Sequence, residues 1–210
     1  MEKWRDRLVW WAIWLACLFP LAQLVFLLFQ NELGANPIEK LTRSLGEWAL
    51  RFLLIGLAIT PAAKLLKQPR LIRYRRMLGL WAFTYVALHL SNYVVLDHFF
   101  DWPTIGKDIL KRPYITIGMT AFVLLIPLAV TSLDRLHRKL GPKRWKALHR
   151  LAYLIAILGV IHFYLLVKAD HTAPLTYGAI LAALLGYRVW AWHKARRPRR
   201  SPSKPRAATA

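Results

Sequence analysis

The sequence predicts an all-α membrane protein, a six-transmembrane-helix bundle with both termini cytoplasmic. Three observations carry that prediction. Hydrophobic residues fill 57% of the 210 positions, 10 of them Trp, and mean hydropathy is +0.32, yet the formal net charge is +21. A chain this apolar and this charged must keep the two classes apart along its length. Six apolar runs also match a hydrocarbon core of ~30 Å, which takes roughly 20 helical residues to cross. Finally, the charge excess falls on alternate loops. A basic balance alone suggests a nucleic-acid binder; this division argues for no nucleic acid and for a lipid bilayer instead.

The first run, about Leu8–Phe29, carries no charge. It is too long for a signal-peptide core and lacks a clear small-x-small cleavage site, so it reads as a retained helix. The others are about Trp48–Leu66, Leu78–Leu96, Tyr114–Leu133, Leu148–Val167 and Leu175–Trp192. Their length excludes a barrel, which shows short alternating segments. Trp48, Trp102, Tyr114, Trp145, Trp190 and Trp192 mark helix ends as an interfacial belt. Gly178, Ala182 and Gly186 form a small-residue packing stripe in the sixth run.

The loops orient these helices. Basic residues cluster before the first run, between the second and third, between the fourth and fifth, and after the sixth. These four groups hold 24 basic and three acidic residues, whereas the opposite ends hold seven of each sign. The positive-inside rule makes the basic face cytoplasmic. Residues 1–194 form the transmembrane domain. Residues 195–210, rich in Arg, Pro, Ser and Ala, are expected to be a disordered basic cytoplasmic tail that touches anionic lipid. The single Cys17 excludes an intrachain disulfide or a cysteine-based metal site.

Histidine depth supplies the chemistry. His89 lies twelve residues beyond Met77, and His162 lies thirteen beyond His149. Both helices start at the cytoplasmic face, which puts both imidazoles ~18–20 Å in at 1.5 Å per residue. Two such imidazoles can ligate one haem iron from its two faces. A lone intramembrane histidine more often hydrogen-bonds across helices than ligates a metal; the matching pair brings the haem reading level with that one. His149 sits near the cytoplasmic end of the fifth run, on a different side from His162 and with no axial partner in sight. Arg51 either pairs with Glu47 at i,i+4 or meets a haem propionate. Arg75 and Arg76 set topology and can also bind a propionate or a flavin phosphate. His98 and His171 fall at or near the outer surface and read as solvated rather than as ligands, with nothing in the sequence supporting a quinol or partner contact there.

Several stretches together resemble one known family. They are QPRLIRYRRMLGLWAFTYVALHL (Gln68–Leu90), KRPYITIG (Lys111–Gly118), WKALHRLAYLIAILGVIHF (Trp145–Phe163), GANPIEKL (Gly34–Leu41) and LAITPAAKLLKQP (Leu57–Pro69). They resemble the MsrQ (YedZ) family, within the ferric-reductase-like transmembrane superfamily, over nearly the whole chain. The resemblance implies a haem-b electron-transfer subunit of the bacterial inner membrane. It would pass electrons to a periplasmic molybdopterin methionine-sulfoxide reductase, the catalytic subunit, and have no sulfoxide-reducing activity of its own. The donors it implies are the quinone pool or a cytoplasmic NAD(P)H:flavin reductase, and the cofactors haem b and FMN. The family's histidines map onto His89, His149 and His162. Where the superfamily often has a fourth histidine, this chain has Arg75 or Arg76, which puts a second bis-histidine haem in doubt. A proton-relaying small transporter and a structural anchor for a soluble partner are the alternatives.

Overall fold

Each of the six apolar runs folds as a helix, because a backbone in lipid must satisfy its own hydrogen bonds. The computed structural model describes residues 2–196. Helix α1 covers Glu2–Phe29, α2 Pro37–Leu65, α3 Tyr74–Asn92, α5 Pro113–Val130, α7 Leu151–Leu166 and α8 Thr172–Arg196. Two further helices fall in segments read from sequence as loops, α4 (Trp102–Lys111) and α6 (Asp134–Leu148). Both are too short or too polar to register as apolar runs. α4 is nonetheless well specified: the Asp101 carboxylate accepts from the amide and hydroxyl of Thr104, and Pro103 sits in the first turn.

The result is an all-α, multi-pass membrane protein. Four helices are long and apolar enough to cross a membrane by length and composition. A fifth span results if α6 and α7, bent by 48° across a short break, are counted as one. α8 is not among them. Within α6 the chain breaks at Gly141 (φ 72°), just before Pro142. The expected tail falls outside the described residues from 197 onward, while Ala195 and Arg196 still belong to α8.

The helices pack chiefly as two pairs, α2 with α3 and α5 with α7. Leu45, Ala49, Phe52, Leu78, Ala82 and Tyr85 form the first apolar core with Cys17 and Leu24 of α1. Leu125, Leu128 and Ile155 form a second, and Leu50, Leu54 and Leu57 meet Ala156 and Leu181 of α7 and α8 in a third. Large apolar side chains point outward all round, as a lipid-facing surface requires.

One core contact explains how α1 attaches. Pro20 has no amide hydrogen, and its ring crowds the carbonyl one turn back, which loosens the helix there. The hydroxyl of the fully buried Tyr85 inserts at that place. It donates to the Cys17 carbonyl at 2.9 Å and accepts from the Leu21 amide at 3.0 Å, an i,i+4 pair bridged by one oxygen. On the basic side, Arg73 grips Asp6 through two 2.9 Å bonds, and Arg76 holds Asp134 at 2.5 Å.

Candidate functional site

α2, α3, α5 and α7 enclose a cavity of about 290 Å³. Its walls are apolar (Leu50, Leu53, Val86, Leu125, Ile155), and His89 from α3 faces His162 from α7 across it. Their ring centroids are 6.2 Å apart, with ring planes at 89°.

Each imidazole is held by backbone, and in the same way. His89 Nδ1 lies 2.8 Å from the Thr42 carbonyl of α2; His162 Nδ1 lies 2.6 Å from the Tyr114 carbonyl of α5. A carbonyl oxygen only accepts, so in both rings Nδ1 carries the proton and Nε2 keeps its lone pair. Four residues past each carbonyl stands a glycine, Gly46 and Gly118. A Cβ at Gly46 would meet His89 Nδ1 at 3.1 Å, and one at Gly118 would meet His162 Nδ1 at 2.8 Å. Helical Cβ atoms lean toward the N-terminus, over the carbonyl one turn back. Glycine at i+4 therefore uncovers carbonyl i and lets the ring lie flat against the helix.

Neighbouring groups stiffen the His89 arm. Buried Asn92, one turn along α3, donates through Nδ2 to the Ile38 carbonyl at 3.1 Å and to the Thr42 hydroxyl. Thr42 Oγ1 in turn donates to Ile38 O at 2.8 Å. α3 is thus tied to the very turn of α2 that holds its histidine.

This pair suits a metal between two imidazoles. Metal–imidazole bonds of about 2 Å, plus the radius of each ring, separate opposed ring centres by roughly 6 Å. Among the described residues no group of three or more His, Cys, Asp or Glu forms a metal cluster. A haem iron needs none, because the porphyrin supplies four nitrogens and the protein at most two. An apolar slot between helices with an imidazole from each side is what that cofactor requires.

The other sequence candidates lie elsewhere. Arg51 turns away from the cavity: its guanidinium binds Glu47 at 2.7 Å and the Tyr177 hydroxyl at 2.7 Å, and stacks on Trp48. His149 packs on Trp145 with ring centroids 3.9 Å apart, and its Nε2 lies 3.3 Å from Thr131 Oγ1. Arg75 is within electrostatic reach of His149 and Arg188, while Arg76 is spent on Asp134. His98 lines the cavity between Asp97 and Asp108, at 3.5 and 3.4 Å. His171 packs on Tyr164.

Sequence reasoning missed the two glycines, the two carbonyls, Asn92, and Arg43 and Arg112 at the mouth. Only the glycines left a signal: each interrupts a helical run at a cost of about 1 kcal/mol against Ala, which asks for a packing reason.

A family profile described as "Ferric reductase like transmembrane component" matches residues 21–160. Among curated proteins, the "Protein-methionine-sulfoxide reductase heme-binding subunit MsrQ" of Caulobacter vibrioides is 61% identical over 189 residues, 90% of this chain and 90% of that protein. The chain belongs to the MsrQ family. The MsrQ protein of Rhodospirillum rubrum, with the same description, is 53% identical over 95% of this chain and 96% of its own length. That of Herminiimonas arsenicoxydans is 49% identical over 87% and 85%. No solved structure matches the chain. The ferric-reductase-like profile covers α2, α3, α5 and the first ten residues of α7, and with them Thr42, Gly46, His89, Tyr114 and Gly118; its last residue falls two short of His162.

Proposed function

We propose that this chain is a haem-b electron-transfer subunit of the bacterial inner membrane. It would carry electrons from quinol or a cytoplasmic NAD(P)H:flavin reductase to a periplasmic methionine-sulfoxide reductase, and leave sulfoxide reduction to that partner. The carrying observation is the His89–His162 pair, 6.2 Å apart with both Nδ1 atoms tied to carbonyls. Membership of a family whose curated members are described as heme-binding subunits supports it.

Bound haem supplies one-electron iron chemistry, its potential set by axial ligands and burial. The chain's own residues do the rest. His89 and His162 would hold the haem iron through their Nε2 lone pairs. Thr42 and Tyr114 hold those rings in one tautomer, and Gly46 and Gly118 allow the close approach. The apolar walls keep water from the iron. His149 has Trp145, Thr131, His137 and Arg75 around it and no opposed histidine, which favours one haem over two. FMN, if held by this chain, belongs at the basic face near Arg75 and Arg76. We read six spans with both termini cytoplasmic, α8 being the sixth, because every basic cluster then falls on one side.

Purified protein should show a reducible Soret and α-band, and His89→Ala and His162→Ala should each lose most of the haem. Unchanged spectra in both variants would refute the pairing.

A further inference from the structure

The cavity is chemically one-sided. Its depth is apolar, and its polar lining lies toward the outer end: Arg43, Glu47, Asp97, His98 and Arg112. The carboxylates there are already engaged. Glu47 is held by Arg51 at 2.7 Å, Asp97 lies 3.5 Å from His98, and Asp108 takes Arg112 Nε at 3.1 Å. The two arginines are not used up. Among the described residues Arg43 is engaged only at Nε, which pairs with Glu39 at 3.2 Å; Arg112 pairs through Nε with Asp108 and donates Nη1 to the Tyr114 hydroxyl at 3.1 Å. A guanidinium has five N–H donors in a fork suited to carboxylates.

Their register matters as much as their charge. Arg43 is the residue next to the carbonyl that holds His89, and Arg112 stands two before the carbonyl that holds His162. Each histidine anchor thus carries a cation beside it, on opposite sides of the same slot. The ligand that fits is a flat apolar body with two anionic groups on one edge.

We propose that Arg43 and Arg112 form a two-point carboxylate cradle at the outer mouth. It fixes which way a haem sits, both propionates facing outward. The inference rests on the haem reading above. It also gives Arg51 its work: by binding Glu47, Arg51 keeps that carboxylate from competing for the cradle. The opposite orientation buries two carboxylates among Leu, Val and Ile, a costly placement without partners.

The test compares haem b with haem b dimethyl ester, whose propionates carry no charge, on full-length haem-free protein in nanodiscs. Wild type should hold haem about tenfold or more tighter than the diester, as expected for lost charge-assisted hydrogen bonds. Arg43→Gln/Arg112→Gln should hold the two within about twofold, and Arg43→Lys/Arg112→Lys should restore part of the preference. Equal binding of haem and diester by wild type overturns the cradle without any variant, as does a full preference in the double glutamine variant. Failure of wild type to bind either compound sinks the haem reading itself, a distinguishable result.

Discussion

Gly118→Ala tests the backbone-held histidine most directly. The added Cβ would lie 2.8 Å from His162 Nδ1 and 2.9 Å from Cε1, against 3.1 and 3.2 Å for the equivalent change at Gly46. Comfortable contact begins near 3.5 Å. The His162 ring must therefore retreat by about 0.7 Å, and the His89 ring by about 0.4 Å in Gly46→Ala. The backbone of α5 cannot give way easily, so the ring moves and its 2.6 Å bond to Tyr114 stretches. Overpacking of this size costs about 1–3 kcal/mol. Disturbing the group that orients a metal ligand typically weakens binding about 10–100-fold. Gly118→Ala should thus release haem to a scavenging apoglobin about 10–100 times faster than wild type, with Gly46→Ala in between. An unchanged release rate in Gly118→Ala, or a larger effect at Gly46, would show that the glycines do not set ligand position.

Four further outcomes are expected. His149→Ala should keep the haem content and the low-spin spectrum of a bis-imidazole centre, and a halved haem content would restore His149 as a ligand. Asn92→Ala strips buried partners from Ile38 and Thr42, so thermal unfolding should report a loss of about 1–3 kcal/mol. Tyr85→Phe leaves the Cys17 carbonyl and Leu21 amide without their bridge, and should cost a similar amount, about 1–3 kcal/mol, while sparing the haem spectrum. The fourth concerns pH. The Thr104 hydroxyl, and then its amide, hold the Asp101 carboxyl below the ordinary carboxylate range. A depressed carboxylate stabilises above its unfolded pKa and loses that contribution as pH falls through the folded one. Pepsin should therefore cut more readily between Phe100 and Leu110 as pH drops below about 4, whereas Asp101→Asn, an equal cap that does not titrate, should show no such change.

The sequence was informative where a pattern is one-dimensional. Six apolar runs marked six helices because hydrophobic length in lipid is a linear property. The depth of His89 and His162 could be counted because rise per residue is constant. Azimuth was harder. Arg51 could equally pair with Glu47 or, its height being right, meet a propionate; in the structure Arg51 holds Glu47. At about 100° per residue it lies some 140° round α2 from Gly46, whereas Arg43 lies only about 60° away. Height alone could not separate the two. α4 escaped because its start rests on the Asp101 cap rather than on a long apolar run, and α6 because it is polar along its length. The carbonyl anchors leave no mark in sequence at all, since every residue has a carbonyl.

Those anchors have an electrical consequence. A peptide oxygen gains and loses no proton between the acid and alkaline limits of protein life, and it draws far less on an imidazole proton than a carboxylate does. Were His89 and His162 to ligate a haem iron as proposed, imidazoles tethered in this fashion would keep their Nδ1 protons, and the resting voltage of the centre would be insulated from acidity at its own coordination sphere. Any coupling between current and pH would then enter from outside that sphere.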